Sequence, residues 1–86
     1  MKEIDLLRKE IDLVDEELVR LFERRLELVD RIGREKKALG LPVKNGERER
    51  VVIDRTRGLC KEENKDDLER FIKGVISLCT DRQENL

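Results

Sequence analysis

Residues 2–39, KEIDLLRKEIDLVDEELVRLFERRLELVDRIGREKKAL, contain neither proline nor asparagine and a single glycine, Gly33. Nothing in that stretch stops a helix, which at 1.5 Å per residue would run for about 57 Å. Ile4, Leu7, Ile11, Val14, Leu18, Leu21, Leu28 and Ile32 recur at steps of three and four. They form a heptad-like packing seam that continues to Leu39. Gly40-Leu41-Pro42-Val43-Lys44-Asn45-Gly46 holds the only proline and two glycines, so the helix ends there in a turn.

Working outward, a second helix is expected from Glu47 to Glu63, burying Val52, Ile53, Leu59 and Cys60, with Glu47 and Glu49 near its positive end. Gly58 in its interior weakens it by about 1 kcal/mol relative to Ala. Asn64-Lys65-Asp66-Asp67 reads as a turn with an Asp N-cap. Leu68, Phe71, Ile72, Val75, Ile76 and Cys79 then mark the apolar face of a third helix ending near Glu84. The second and third helices together match the first in length, so they are expected to lie along it and leave one apolar face open. A twofold-related copy would cover that face. The expectation is a single all-α domain over residues 1–86 in an intertwined, obligate homodimer.

Composition points the same way. In 86 residues, 37% are apolar, the only aromatics are Phe22 and Phe71, and 48% are charged with a net charge of −1. One core in so short a chain yields few kcal/mol, so help from a partner is expected. The balanced charge and lack of stacking aromatics exclude nucleic-acid binding. No apolar run nears the roughly 20 residues of a membrane span, and Met1-Lys2-Glu3-Ile4-Asp5 lacks a signal-peptide core. A cytoplasmic location is expected. With no His, and Cys60 and Cys79 far apart, zinc spacings are missing. Two buried thiols are expected instead.

The informative charges are those that interrupt the apolar pattern. After Leu18 and Leu21 the seam reaches Arg25 before resuming at Leu28, and a cation in that place needs an anion. Lys36 follows 11 residues later, three turns on and about 16 Å along the same side. Arg8 borders the stripe 17 residues before Arg25, about 25 Å away, so the two meet one small anion only across an antiparallel dimer. Gln83 sits one turn from Cys79 where Leu would pack better. Ordinary roles compete: Arg8 with Asp12 or Asp5, Arg25 with a Glu of another helix, and Lys36 reaching out to solvent.

The ordered set of Leu7-Arg8, Arg25, Lys36, Pro42-Val43, Glu47-Arg48-Glu49-Arg50 and Cys79 with Gln83 resembles the all-helical class of chorismate mutase over essentially the whole chain. The opening Leu6-Leu7-Arg8-Lys9-Glu10-Ile11-Asp12-Leu13-Val14-Asp15 is similar too. The resemblance implies an intertwined dimer of three-helix subunits, each site completed by one residue of the other chain. It implies rearrangement of chorismate, a dianion, to prephenate. Carried over, Arg25 and the partner's Arg8 bind substrate carboxylates, and Lys36 contacts the ether oxygen and a carboxylate. Arg48 lines the site, Glu49 binds the ring hydroxyl, and Gln83 donates to the ether oxygen. Asn45 stands where Asp often helps hold the hydroxyl. Cys79 stands where Ser often meets a carboxylate, with Thr80 as substitute only if the register is one off.

A pericyclic shift needs no nucleophile, metal or cofactor, consistent with the missing His and Cys-His arrangements. Two other functions fit the scaffold: a non-catalytic dimerisation module in which Arg25 merely fixes register, and a lyase removing pyruvate from isochorismate. Convergence of Arg25, Lys36, Glu49 and Gln83 on one polar pocket separates the first from an enzyme, and Glu49 favours the mutase over the second.

Overall fold

The computed structural model describes residues 1–86, folded as three α-helices without strands: α1 (Lys2–Leu39), α2 (Gly46–Gly58) and α3 (Lys65–Glu84), with a short 3₁₀ turn at Glu62–Asn64. The first helix runs uninterrupted, as its lack of breakers dictates. It stops at Gly40, whose φ of 69° is left-handed. There the Leu41 N–H bonds the Lys36 carbonyl (2.8 Å) and the Gly40 N–H that of Lys37 (3.2 Å), a Schellman closure that reverses the chain.

Two expected boundaries move. The second helix ends at Gly58 rather than Glu63, and Leu59, expected inside, is 74% exposed. Gly58 therefore ends the helix instead of weakening its middle. Arg57, one residue earlier, draws the chain round: its Nη1 donates to the Lys65 carbonyl (3.2 Å), Asp66 (3.3 Å) and Glu69 (3.1 Å). The third helix starts at Lys65, capped by Asn64 without a side-chain bond, so no Asp caps it. Asp66 and Asp67 lie inside its first turn, where the helix dipole favours them. Of the two thiols expected inside, Cys79 is buried and Cys60 half-buried, and both are free.

The packing also departs from the expected layer. Both α1 and α2 lie against α3, while no Cα of α1 comes within 8 Å of one in α2. Only the C-terminal part of α1 is covered: every residue from Met1 to Arg24 is exposed, including Ile4, Leu7, Ile11, Val14, Leu18 and Leu21 of the seam. The buried positions on α1 are Val29 and Gly33, neither of them in the predicted seam. Ile72 and Cys79 of α3 are the remaining two of the four buried residues, and Gly33 itself lies against Gln83 and Leu86. The radius of gyration is 16.2 Å, against about 12 Å for a compact chain of this length. A single chain thus has almost no core of its own.

The end of α3 is tied to α1 by Arg82, whose Nε and Nη2 donate to the two oxygens of Asp30 at 2.6 and 2.9 Å. That hydrogen bond holds the Asp30 carboxyl below its ordinary 3.8 and raises the guanidinium pKa. The Lys73 ammonium, with Arg57 beside it, holds Glu69 below its ordinary 4.5. Depressed carboxyl pKa values add stability that is complete above the unfolded values and drains as pH falls through the folded ones. The thermal midpoint followed by circular dichroism should therefore fall as pH drops below about 4. Asp30→Asn should melt earlier at neutral pH and decline less steeply in acid.

Candidate active site

Because α1 and α2 both rest on α3 but stand apart, a gap remains with α3 as its floor. The gap is an open pocket of about 290 Å³, close to the lower end of small-ligand sites, about 300 Å³. Arg25, Leu28, Val29, Ile32 and Lys36 line it from α1, Val43 and Asn45 from the connecting turn, Arg48, Glu49 and Val52 from α2, and Ile76, Cys79, Thr80 and Gln83 from α3. The residues singled out in sequence, Arg25, Lys36, Asn45, Arg48, Glu49, Cys79 and Gln83, are thus brought together on one cavity. Arg8 is not: it stands exposed on the free half of α1.

Each side chain has a local reason for its position. Lys36 is half-buried and its Nζ donates to the Val43 carbonyl (2.7 Å), so the turn that ends α1 also fixes its ammonium over the pocket. Asn45 is the N-cap of α2: its Oδ1 accepts from the Arg48 N–H at 3.1 Å. This bond presents Arg48 and Glu49, in the first turn, to the cavity. The Asn45 acceptor is therefore committed to the helix, leaving its amide N–H groups free for a ligand. Glu49 accepts from Lys44 at 3.3 Å.

Arg25 reaches across to α3 and donates from Nη1 to the Cys79 sulfur at 3.1 Å. Cys79 and Thr80 both line the pocket, but the thiol beneath Arg25 is the buried one. The Gln83 amide donates through Nε2 to the Val29 carbonyl (2.8 Å), and the second N–H of that amide remains available.

The ordinary ion pairs weighed for the cations do not form. Asp5 is met by the terminal ammonium of Met1 instead, and Arg8, Arg25, Lys36 and Arg48 make no ion pair, whereas Arg24, Lys44, Arg57, Lys65, Arg70, Lys73 and Arg82 do. Many surface cations are unpaired as well, but Arg25, Lys36 and Arg48 face one cavity. That arrangement suits a small anion with more than one carboxylate, bound by guanidinium forks and an ammonium. Sequence reasoning missed three contributors: the Val43 carbonyl, which no side-chain pattern reveals; Val29, hidden beside the seam; and Gly33. A glycine isolated in a strong helix was the available signal for the last.

Fold and pocket together define a small helical domain in which cations and amides from three helices line one cavity. The chain belongs to the family described as chorismate mutase type II, whose profile matches residues 7–84. It is similar to a chorismate mutase of Methanocaldococcus jannaschii (39% identical over 61 residues, covering 71% of this chain and 62% of the relative). It is also similar to a bifunctional chorismate mutase/prephenate dehydratase of Aquifex aeolicus (35% identical, covering 100% of this chain and 25% of the relative). A third relative is a T-protein of Haemophilus influenzae (40% identical, covering 78% of this chain and 19% of the relative). The chain thus spans less than two thirds of each of these relatives. No solved structure matches it significantly.

No helix is long and apolar enough to cross a membrane, and no cluster of His, Cys, Asp and Glu is placed to hold a metal ion. The role of Asn45 as a cap is open to direct measurement. Asn45→Ala should cost about 1 kcal/mol in urea unfolding, and Asn45→Asp, which keeps the acceptor, close to nothing.

Proposed function

We propose that residues 1–86 act as a single chorismate mutase domain, converting chorismate to prephenate by holding it compact and stabilising charge that develops on its ether oxygen. The observation that carries this reading is the set of unpaired cations, Arg25, Lys36 and Arg48, lining one pocket with Glu49 and Gln83. A register-fixing Arg25 in a mere dimerisation module would have no need of Lys36, Arg48 and Gln83 around the same cavity. The reaction breaks a carbon–oxygen bond and forms a carbon–carbon bond within one molecule, so positioning and electrostatics are what a protein can supply.

In this reading Arg25, with Cys79 beneath it, binds one carboxylate, and Arg48 lines the path of the other. Glu49 accepts from the ring hydroxyl, with the free amide of Asn45 beside it. Lys36 and Gln83 aim N–H donors at the ether oxygen. Lys36 has three hydrogens, of which the Val43 carbonyl takes one, so an ammonium donor remains for the substrate. Donors fixed in advance by backbone carbonyls need little reorganisation when charge builds up.

The working unit is proposed to be an intertwined homodimer. The free half of α1 exposes Ile4, Leu7, Ile11, Val14 and Leu18. Next to it, Leu18, Leu21, Phe22, Phe71, Ile72 and Val75 border an apolar groove of about 410 Å³. Contiguous apolar surface of this kind marks an interface, and a second copy of the same rod supplies a matching stripe. Its Arg8 would then complete the pocket that a single chain leaves open.

Adding purified protein to chorismate should remove its absorbance with prephenate as product. Lys36→Ala should slow turnover by about 10² to 10³ with the helices intact, the usual effect of deleting one preorganised donor; a fully active variant would defeat the mechanism. Mixing inactive Arg8→Ala and Arg25→Ala chains under conditions of subunit exchange should restore about a quarter of wild-type activity, since half the dimers are mixed and each carries one intact site. No recovery despite demonstrated exchange would exclude action of Arg8 across the interface.

A further inference from the structure

Gly33 is the one glycine of α1, and it is buried against the end of α3. A Cβ built there would lie 2.6 Å from Leu86 Cδ1, 3.0 Å from Gln83 Cγ and 3.4 Å from Gln83 Cβ. These contacts differ in kind. The Leu86 methyl is the far end of a flexible side chain and can swing away. The Gln83 atoms are the stem of the side chain, next to the α3 backbone, and yield only if that side chain rotates or the helix shifts. By contrast, a Cβ at Gly46, Gly58 or Gly74 would meet nothing within 4 Å.

The α3 terminus has little freedom to make such a shift. Ahead of Gln83, Arg82 is clasped by both oxygens of Asp30. Behind it, Lys37 Nζ donates to the Leu86 carbonyl at 3.1 Å. Between the two ties, the Gln83 amide lies on α1 and donates to the Val29 carbonyl, one helical turn before Gly33. The missing side chain at residue 33 is what lets Gln83 come that close.

Building on the chorismate mutase reading, we infer that Gly33 is a positioning residue: the absence of a side chain there seats the Gln83 stem against α1 and aims its second amide N–H at the reacting ether oxygen. Gly33 touches no substrate; it acts through Gln83. Alanine is a better helix former than glycine, so α1 itself tolerates Gly33→Ala, and a merely structural account, in which the Cβ only loosens the packing against Leu86 and Gln83, predicts lost stability with the rate per folded chain unchanged. The positioning account predicts slower chemistry in a chain that still folds.

The test is a double-mutant cycle on chorismate turnover with wild type, Gly33→Ala, Gln83→Ala and the combination. Gly33→Ala should lower kcat by about tenfold or more, approaching the 10²-fold that a 1 Å misplacement can cause, with a much smaller change in KM. In the Gln83→Ala background the same substitution should change kcat by less than about twofold. An equal loss in both backgrounds, or no loss in the first, overturns the inference. If Gly33→Ala does not fold, Gly33→Ala combined with Leu86→Ala removes the harshest clash and leaves that with Gln83. The slow turnover should persist there, and recovery to the wild-type rate would assign the clash to Leu86 and overturn the inference.

A wild-type protein inert toward chorismate would sink the functional reading but not decide the positioning. That is read separately from the Gln83 side-chain amide resonances in NMR, assigned by their loss in Gln83→Ala. They should move in Gly33→Ala, and unchanged shifts overturn the inference.

Discussion

Three of the four buried residues, Val29 and Gly33 on α1 and Cys79 on α3, lie along one contact between the C-terminal half of α1 and the end of α3, tied by Arg25 to Cys79, Gln83 to the Val29 carbonyl and Arg82 to Asp30. Everything else is arranged around that contact. It fixes how far α1 stands above α3, and α2, which packs on α3 alone, is left on the other side of a gap. The pocket is therefore a consequence of two helices sharing a support without touching each other. A well-packed three-helix bundle would have closed that space with aliphatic side chains, gaining stability and losing the cavity.

Charge is distributed with the same economy. The outward face is laced with short ion pairs such as Arg70 with Asp67 at 2.8 Å and Lys73 with Glu69 at 2.8 Å, each worth little in water. Arg25 and Lys36, half-buried, are given neutral partners instead, a thiol and a carbonyl. Such partners hold a cation in place without cancelling its charge. A carboxylate in either position would have stabilised the empty chain and competed with an anionic ligand, so the net charge of −1 over the whole chain says nothing about the field inside the pocket.

Periodicity made α1 and the apolar face of α3 legible, because a long run without breakers and with steps of three and four has one reading. Gly40 and Pro42 likewise announced the reversal that ends α1. What periodicity could not supply was which side of α1 meets its own chain. The stripe from Ile4 to Ile32 reads as one seam, yet within the subunit the contact runs through Val29 and Gly33, a position to the side. A helix with two apolar surfaces, one for its own chain and one left bare, gives a broad stripe that a single heptad trace cannot divide. The end of α2 is not legible in local propensity because Arg57 bonds to three groups on and around the first turn of α3, a tertiary contact that overrides it. Polar interruptions of the stripe, by contrast, led directly to Arg25, Lys36 and Gln83, since a charge or amide in an apolar row needs a physical reason.

The bare half of α1 links stability to chemistry in the proposed dimer. Leu7 and Ile11, which would drive association by leaving water, flank Arg8 on the same turns of the rod. Any docking geometry that buries them carries the guanidinium with them, so apolar burial does the work of placing a charge that would otherwise have to be desolvated on its own. With four buried residues, a lone chain has little apolar burial behind the polar ties that hold the end of α3 to α1. Association would then stabilise the α1–α3 contact that spaces the pocket as well as supplying its missing cation, and the concentration of folded sites would follow the concentration of dimers.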